Sequence, residues 1–166
     1  MDETGLNTKM SRLYGRCVRG QRCRASVPHG HWKSSTFIAA LRYDQITAPM
    51  LLDGPMDGIS FVEYVQQVLS PELRQGDMVI CDNLSSHKVA GVREAIEARG
   101  AELLYLPAYS PDLNPIEMAF AKLKAILRQR AERSFEGLIK ATSLALDRFS
   151  QTDCFNFFSH ANYASL

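Results

Sequence analysis

Four consecutive apolar residues, Met78-Val79-Ile80-Cys81, run directly into Asp82. A continuous apolar run of this length marks a strand buried on both faces, as strands are in parallel sheets. Val89, Val92 and Ile96 follow at helical spacing, Gly100 supplies a stop, and Glu102 to Leu106 (ELLYL) is a second strand-like run. Strand, helix, strand within about thirty residues is a βαβ unit, so the two strands are expected to be parallel. A parallel pair needs cover on both faces, which commits the chain to an α/β fold with helices on either side of a sheet.

The remaining elements fit that frame. Ser35 to Tyr43 is rich in β-branched and aromatic residues, Ile46 to Leu52 is a second apolar run, and Asp44-Gln45 between them reads as a tight hairpin. Ser60 to Leu69 carries Phe61, Val62, Val65, Val68 and Leu69 at a helical period, with Pro71 and Gly76 breaking it. A loop with three prolines covers Pro107 to Pro115. Helices are expected from about Asn114, over Ser134 to Phe149, and over Asp153 to Ser159. The first thirty-odd residues are weakly periodic and read as loops with short strands. At 166 residues the chain matches one α/β domain with a mixed sheet. No apolar run approaches the ~18 residues of a membrane span. The start, MDETGLNTKM, lacks a secretory apolar segment, so a cytoplasmic protein without membrane contact is expected.

The net charge of +1 conceals an uneven distribution. Seven cations (Lys9, Arg12, Arg16, Arg19, Arg22, Arg24, Lys33) stand in the first 34 residues against Asp2 and Glu3, and a second run, Lys122 to Arg133, holds five cations and one Glu. Clustered cations beside clustered acids suit a phosphate-backbone partner, while a solvated face is the plainer reading of charge alone. Cys17, Cys23, His29 and His31 are four soft ligands within fifteen residues, but C-x5-C and H-x-H match no familiar zinc spacing.

Topology brings two carboxylates to one place. Asp82 ends a central strand, and in open α/β sheets ligands bind beyond the carboxyl ends of the strands. The parallel strand ending at Leu106 delivers its loop, and then the helix carrying Glu117, to the same edge. Local roles compete with this: Asn114-Pro115-Ile116-Glu117 reads as an N-cap, a Pro at N1 and a capping-box Glu, and Asp82 can form an Asx turn with Ser85 or Ser86. Facing carboxylates need a raised pKa or a divalent cation, and oxygen-only donors, with Asn83 available, suit Mg²⁺ or Mn²⁺. Lys124, two helical turns beyond Glu117, shares its face and can hold a phosphate nearby.

Asp2-Glu3-Thr4, Cys81-Asp82-Asn83 with His87-Lys88, and LPAYSPDLNPIE ending at Glu117 together resemble the catalytic domain of DDE-superfamily transposases, in the bacterial insertion-sequence branch related to mariner-like elements. The 34 residues between Asp82 and Glu117 are the separation typical of that branch, and the resemblance runs from Asp2 to about Tyr163. It implies a ribonuclease-H-like mixed sheet flanked by helices, with Asp2, Asp82 and Glu117 as the catalytic, metal-binding triad for two Mg²⁺ (or Mn²⁺) ions. Lys124, Lys122, Asn83, His87 and Lys88 are the expected DNA-binding residues, with His87 positional rather than a general base. The activity implied is DNA strand cleavage at transposon terminal repeats and strand transfer to target DNA. A homodimer in the transposition complex and a separate upstream reading-frame product are the implied protein partners.

The family's first Asp lies inside a central strand, whereas here Met1 alone precedes Asp2. The first strand is therefore expected to be largely truncated, Asp2 to sit on a mobile terminus, and the family's helix-turn-helix region to be absent. Two alternatives stand beside an active transposase domain: a truncated inactive fragment, and a non-enzymatic nucleic-acid-binding module with zinc at Cys17, Cys23, His29 and His31.

Overall fold

The computed structural model describes residues 1–12, 14–29 and 31–163. The βαβ unit is present: β4 (Met78–Cys81) and β5 (Glu102–Tyr105) pair in parallel, Met78 opposite Glu102 and Cys81 opposite Tyr105, with α2 (Val92–Glu97) crossing between them. The hairpin is present too. β2 (Ser34–Leu41) and β3 (Ile46–Asp53) are antiparallel, and Arg42 N–H donates to Gln45 O across the turn at 2.8 Å. Pro49 is tolerated in β3 because the strand is at the sheet edge and bulged there. The register shifts between Ile38 and Ala40, and Ala48 takes a left-handed φ of 50°. The buried Tyr64 hydroxyl donates to the Ala48 carbonyl at 2.8 Å and holds that irregular backbone.

The first strand begins at Asp2, opposite Ala39, so Ala40 and Leu41 of β2 have no partner on it. β1 (Asp2–Asn7) is six residues long and paired along its whole length with β2, from Asp2 opposite Ala39 to Asn7 opposite Ser34. Its start, expected on a mobile terminus, is buried. Met1 is 8% exposed and Asp2 6%, and the Met1 ammonium donates to Ile80 O on β4 at 2.7 Å. That bond bridges two ladders, the antiparallel β1-β2-β3 and the parallel β4-β5. The two ladders are not hydrogen-bonded into one continuous sheet, and a cleft of about 720 Å³ is lined by Ala40–Arg42 on one side and Met78–Ile80 on the other. Its far end is crossed by the Arg42–Asp77 ion pair at 2.5 Å.

Helices cover both faces of the three-stranded ladder but one face of β4-β5, where Val79, Cys81 and Leu103 are buried while Met78 and Leu104 are exposed. Alternation along β2 sends Ile38 into one core with Phe61, Tyr64, Val65, Leu69, Val79, Val92 and Ile96, and Phe37 and Ala39 into another. The first core lies under α1 (Gly58–Tyr64), a π turn (Val65–Leu69) that continues it, and α2. The second lies under α3 (Ile116–Arg130), α4 (Phe135–Leu146) and α5 (Gln151–His160). On α3 the apolar stripe Ile116, Ala119, Phe120, Leu123, Ile126 and Leu127 is buried. Ser134 caps α4 by accepting from Gly137 N–H, and Ser150 with Asp153 forms a capping box on α5. The described residues between β1 and β2 form a long loop, pinned at its neck where Arg133 Nη1 donates to Thr8 O and Met10 O.

Candidate active site

Asp82 follows β4, and its Oδ1 accepts from Leu84 N–H at 3.3 Å, an Asx turn one residue earlier than expected. The chain then coils through a short 3-10 turn (Ser85–Lys88) that buries His87 completely. The imidazole stacks on Phe61, ring centres 4.2 Å apart, and the His87 backbone carbonyl accepts from the Tyr105 hydroxyl. Nε2 is 2.7 Å from Glu3 Oε2, and Nδ1 is 2.5 Å from Asp82 Oδ1 but off the hydrogen-bonding direction. Burial works against a charged imidazolium, but the Glu3 and Asp82 carboxylates outweigh it and hold the His87 pKa above its ordinary value.

Asp2 lies at the start of β1, where Oδ1 accepts from Glu3 N–H and Oδ2 from the Asn114 side-chain amide, both at 2.7 Å. Burial, with Asp82 and Glu3 nearby, pushes its pKa up to about 7, although the Glu3 N–H and the Met1 ammonium pull the other way. Asn114 is therefore not a helix cap. Its amide goes to Asp2, α3 starts after Pro115 with no side-chain cap bond, and Glu117 is left exposed in the first turn. The backbone still links them, since Glu117 N–H donates to Asn114 O at 3.1 Å. Lys124 stands two turns on. Burial and Arg128 lower its pKa, while Glu117 acts in the opposite direction.

The expected residues thus fall into separate groups. Asp2 and Asp82 come together, joined by Glu3 and the buried His87. Glu117 reaches this group only through Asn114, and among the described residues no three His, Cys, Asp or Glu side chains stand at metal-ligand separation. The His87 side chain is fully buried, between the Glu3 and Asp82 carboxylates, and presents no surface to a DNA strand. Lys88 is exposed over the Tyr105 ring at 5.6 Å. Lys122 lies apart from Lys124. Two residues is about 200° of helix, so it leaves the Lys124 face. Its ammonium pairs with Asp153 at 2.7 Å, donates to Arg148 O, and lies over Phe149. Cys17 and Cys23 are exposed free thiols.

Glu3 and Asn114 were missed as site residues. Both sit inside motifs that are legible in the sequence, but their partners are 84 and 112 residues away. The donor set suits a hard divalent cation. Asp2 carries buried, incompletely balanced negative charge beside Asp82, and the buried Asn83 Oδ1 has no hydrogen-bond partner among the described residues.

A three-stranded antiparallel ladder, a parallel pair and helices on both faces, with acidic residues at the strand ends, make a ribonuclease-H-like fold. The chain is similar to a pre-cleavage Mos1 transpososome, with a TM-score of 0.77 at 18% identity over 99% of this chain and 52% of that one. It is also similar to the catalytic domain of Mos1 mariner transposase, with a TM-score of 0.66 at 19% identity over 80% of this chain and 72% of that one. A Mos1 catalytic domain structure with Raltegravir and Mg matches with a TM-score of 0.65 at 19% identity, over 99% and 78%. Residues 1–139 match the DDE superfamily endonuclease family, and the chain belongs to it. No match was found among curated proteins. The chain spans about half the length of the Mos1 chains in the transpososome and strand transfer complexes.

Proposed function

We propose that this chain is the catalytic domain of a DNA transposase, cleaving DNA at the ends of a mobile element and joining them to target DNA with divalent metal ions. The observation that carries the reading is the convergence of Asp2 and Asp82, with Asn114 tying Asp2 to the turn that bears Glu117, in a chain of the DDE endonuclease family. Mos1 structures solved as DNA complexes and with Mg or Mn support the same substrate and cofactor class.

Asp2, Asp82 and Glu117 would hold two Mg²⁺ or Mn²⁺ ions, with Asn83 as a further oxygen donor. Bound there, the metal supplies Lewis-acid activation of a hydroxyl nucleophile and neutralises charge at the phosphate. The chain's own residues prepare the site. His87, locked by Phe61 and Tyr105, keeps the Asp82 and Glu3 carboxylates apart. Asn114 fixes Asp2 Oδ2. Lys124 is the phosphate contact on the Glu117 face of α3. The nucleophile is water or a DNA 3′-hydroxyl, so no protein side chain forms a covalent intermediate. A homodimer on paired DNA ends, and a partner polypeptide that recognises the terminal repeats, belong to the same proposal.

Conversion of supercoiled plasmid to nicked circles in Mg²⁺ or Mn²⁺ tests the reading. Asp82→Asn and Glu117→Gln are expected to abolish nicking while melting close to the wild type. Nicking that survives either substitution overturns the assignment.

A further inference from the structure

A second cavity, of about 360 Å³, lies alongside the end of β1 and is lined by Gly5, Asn7, Lys9, Trp32, Lys124 and Arg128 among others. Its volume falls in the range of small-ligand sites. Three cations converge on it from two parts of the chain that are remote in sequence. Lys9 belongs to the loop after β1, and Lys124 and Arg128 to α3. Among the described residues no salt bridge involves any of the three. Trp32, the chain's single tryptophan, is 52% exposed, and Lys9 Nζ stands 4.3 Å from its ring centre. Gly5 has no neighbour within 4 Å of where a Cβ would lie, which keeps the floor open.

The groove and Glu117 are linked along α3. Glu117, Lys124 and Arg128 are spaced seven and four residues apart, so one face of α3 leads from the acidic turn to the cations. Eleven helical residues rise about 16 Å, a few nucleotides' length. A cationic groove that tracks a backbone, with an exposed aromatic ring beside it, is the pattern that binds single strands: the charges take phosphates and the ring takes an unpaired base. A duplex keeps its bases stacked on each other and gives the ring nothing to stack on.

We propose that this groove binds an unpaired nucleotide in a single-stranded segment that runs along α3 from the carboxylate site. Its base stacks on Trp32, and the adjoining phosphates meet Lys9, Lys124 and Arg128. The inference rests on the reading of the chain as a DNA-processing domain and adds that the DNA leaving the site is locally unpaired. The metal-independent readout below separates the two.

The experiment titrates the full chain in EDTA with an oligothymidylate, a duplex of equal length and a polyglutamate peptide. Trp32 emission is the only tryptophan signal. The single strand is expected to quench it, and the duplex and the peptide are not. Trp32→Ala is expected to weaken single-strand affinity, read by anisotropy of a labelled oligonucleotide, by roughly 5- to 150-fold, while Trp32→Phe restores most of it. The slope of log K against log salt is expected near about −2, shrinking by about 0.7 on each of Lys9→Ala, Lys124→Ala and Arg128→Ala. Lys140→Ala, on exposed α4 surface, leaves affinity and slope unchanged. Equal quenching by duplex, equal quenching by polyglutamate (which would make this an acidic-protein site), or a Trp32→Ala affinity within twofold of wild type each overturns the proposal. No cleavage occurs in EDTA. Absent nicking with intact quenching therefore counts against the catalytic reading alone, and intact nicking without quenching against the groove alone.

Discussion

Without metal, Asp2 is expected to make the fold less stable as pH rises. The carboxylate is 6% exposed, and burial beside Asp82 and Glu3 moves its pKa from 3.8 to about 7. The folded chain therefore binds the Asp2 proton more tightly than the unfolded chain does. The resulting stability is fully present below the unfolded pKa, near 4, and is lost as pH climbs through about 7. Three pKa units correspond to a ceiling of about 4 kcal/mol, a large share of a typical domain's total. Asp2→Asn removes that titration at a cost. Asp2 accepts from both Glu3 N–H and the Asn114 amide, an asparagine offers one acceptor, and an unsatisfied buried partner costs about 1–3 kcal/mol. The variant is thus expected to be less stable than wild type near about pH 4 and more stable near about pH 8, with the curves crossing between. Urea unfolding in EDTA across that range measures this, and the difference between the two proteins cancels groups that titrate in both. Parallel curves would refute the assignment of the buried charge to Asp2.

The other substitutions probe separate links. His87→Ala leaves Glu3 and Asp82 facing each other without their shared partner and opens a cavity against Phe61. A loss of about 3–5 kcal/mol in urea unfolding is expected, and a loss under 1 would show the contacts to be idle. Lys122→Ala breaks a partly exposed link between α3 and α5, so stability is expected to fall by about 1 kcal/mol or less while oligonucleotide affinity stays within twofold; a larger affinity loss would make Lys122 a DNA contact. Tyr64→Phe strands the Ala48 carbonyl at the β3 bulge and is expected to cost about 1–3 kcal/mol in urea unfolding, an unchanged midpoint counting against that role.

Where local signals and tertiary demands agree, the structure is legible in the sequence. The apolar run Met78–Cys81 does form a strand and places Asp82 at its end, but only Val79 and Cys81 enter a core, while Met78 is exposed, so the expected burial on both faces is not met. The β2–β3 hairpin and the capped helices α4 and α5 carry their own turn and cap residues. β1 was hidden because DETGLN offers a single large apolar residue, Leu6, and owes its strand form to pairing with β2. The site was half legible. Asp82 and Glu117 followed from topology, and Asp2 only from family resemblance. Asn114 carried a strong local cap signature that a partner 112 residues away overrode. His87 gave no local sign that it is fully buried, because its surroundings come from β1, α1 and β5. Lys122 and Lys124 look alike in sequence, and only helix geometry gives them different faces.

The central claim is that Asp2, Asp82 and Glu117 hold the metal together, although Glu117 lies apart from the other two in this structure. Mn²⁺ affinity measured by calorimetry on wild type and on Asp2→Asn, Asp82→Asn, Glu117→Gln and Lys122→Ala tests it without needing a DNA substrate. A loss of roughly tenfold or more is predicted for each of the three carboxylate variants, at least what losing a hydrogen-bond partner of a metal ligand costs, and none for Lys122→Ala. Glu117→Gln binding Mn²⁺ as tightly as wild type would contradict it.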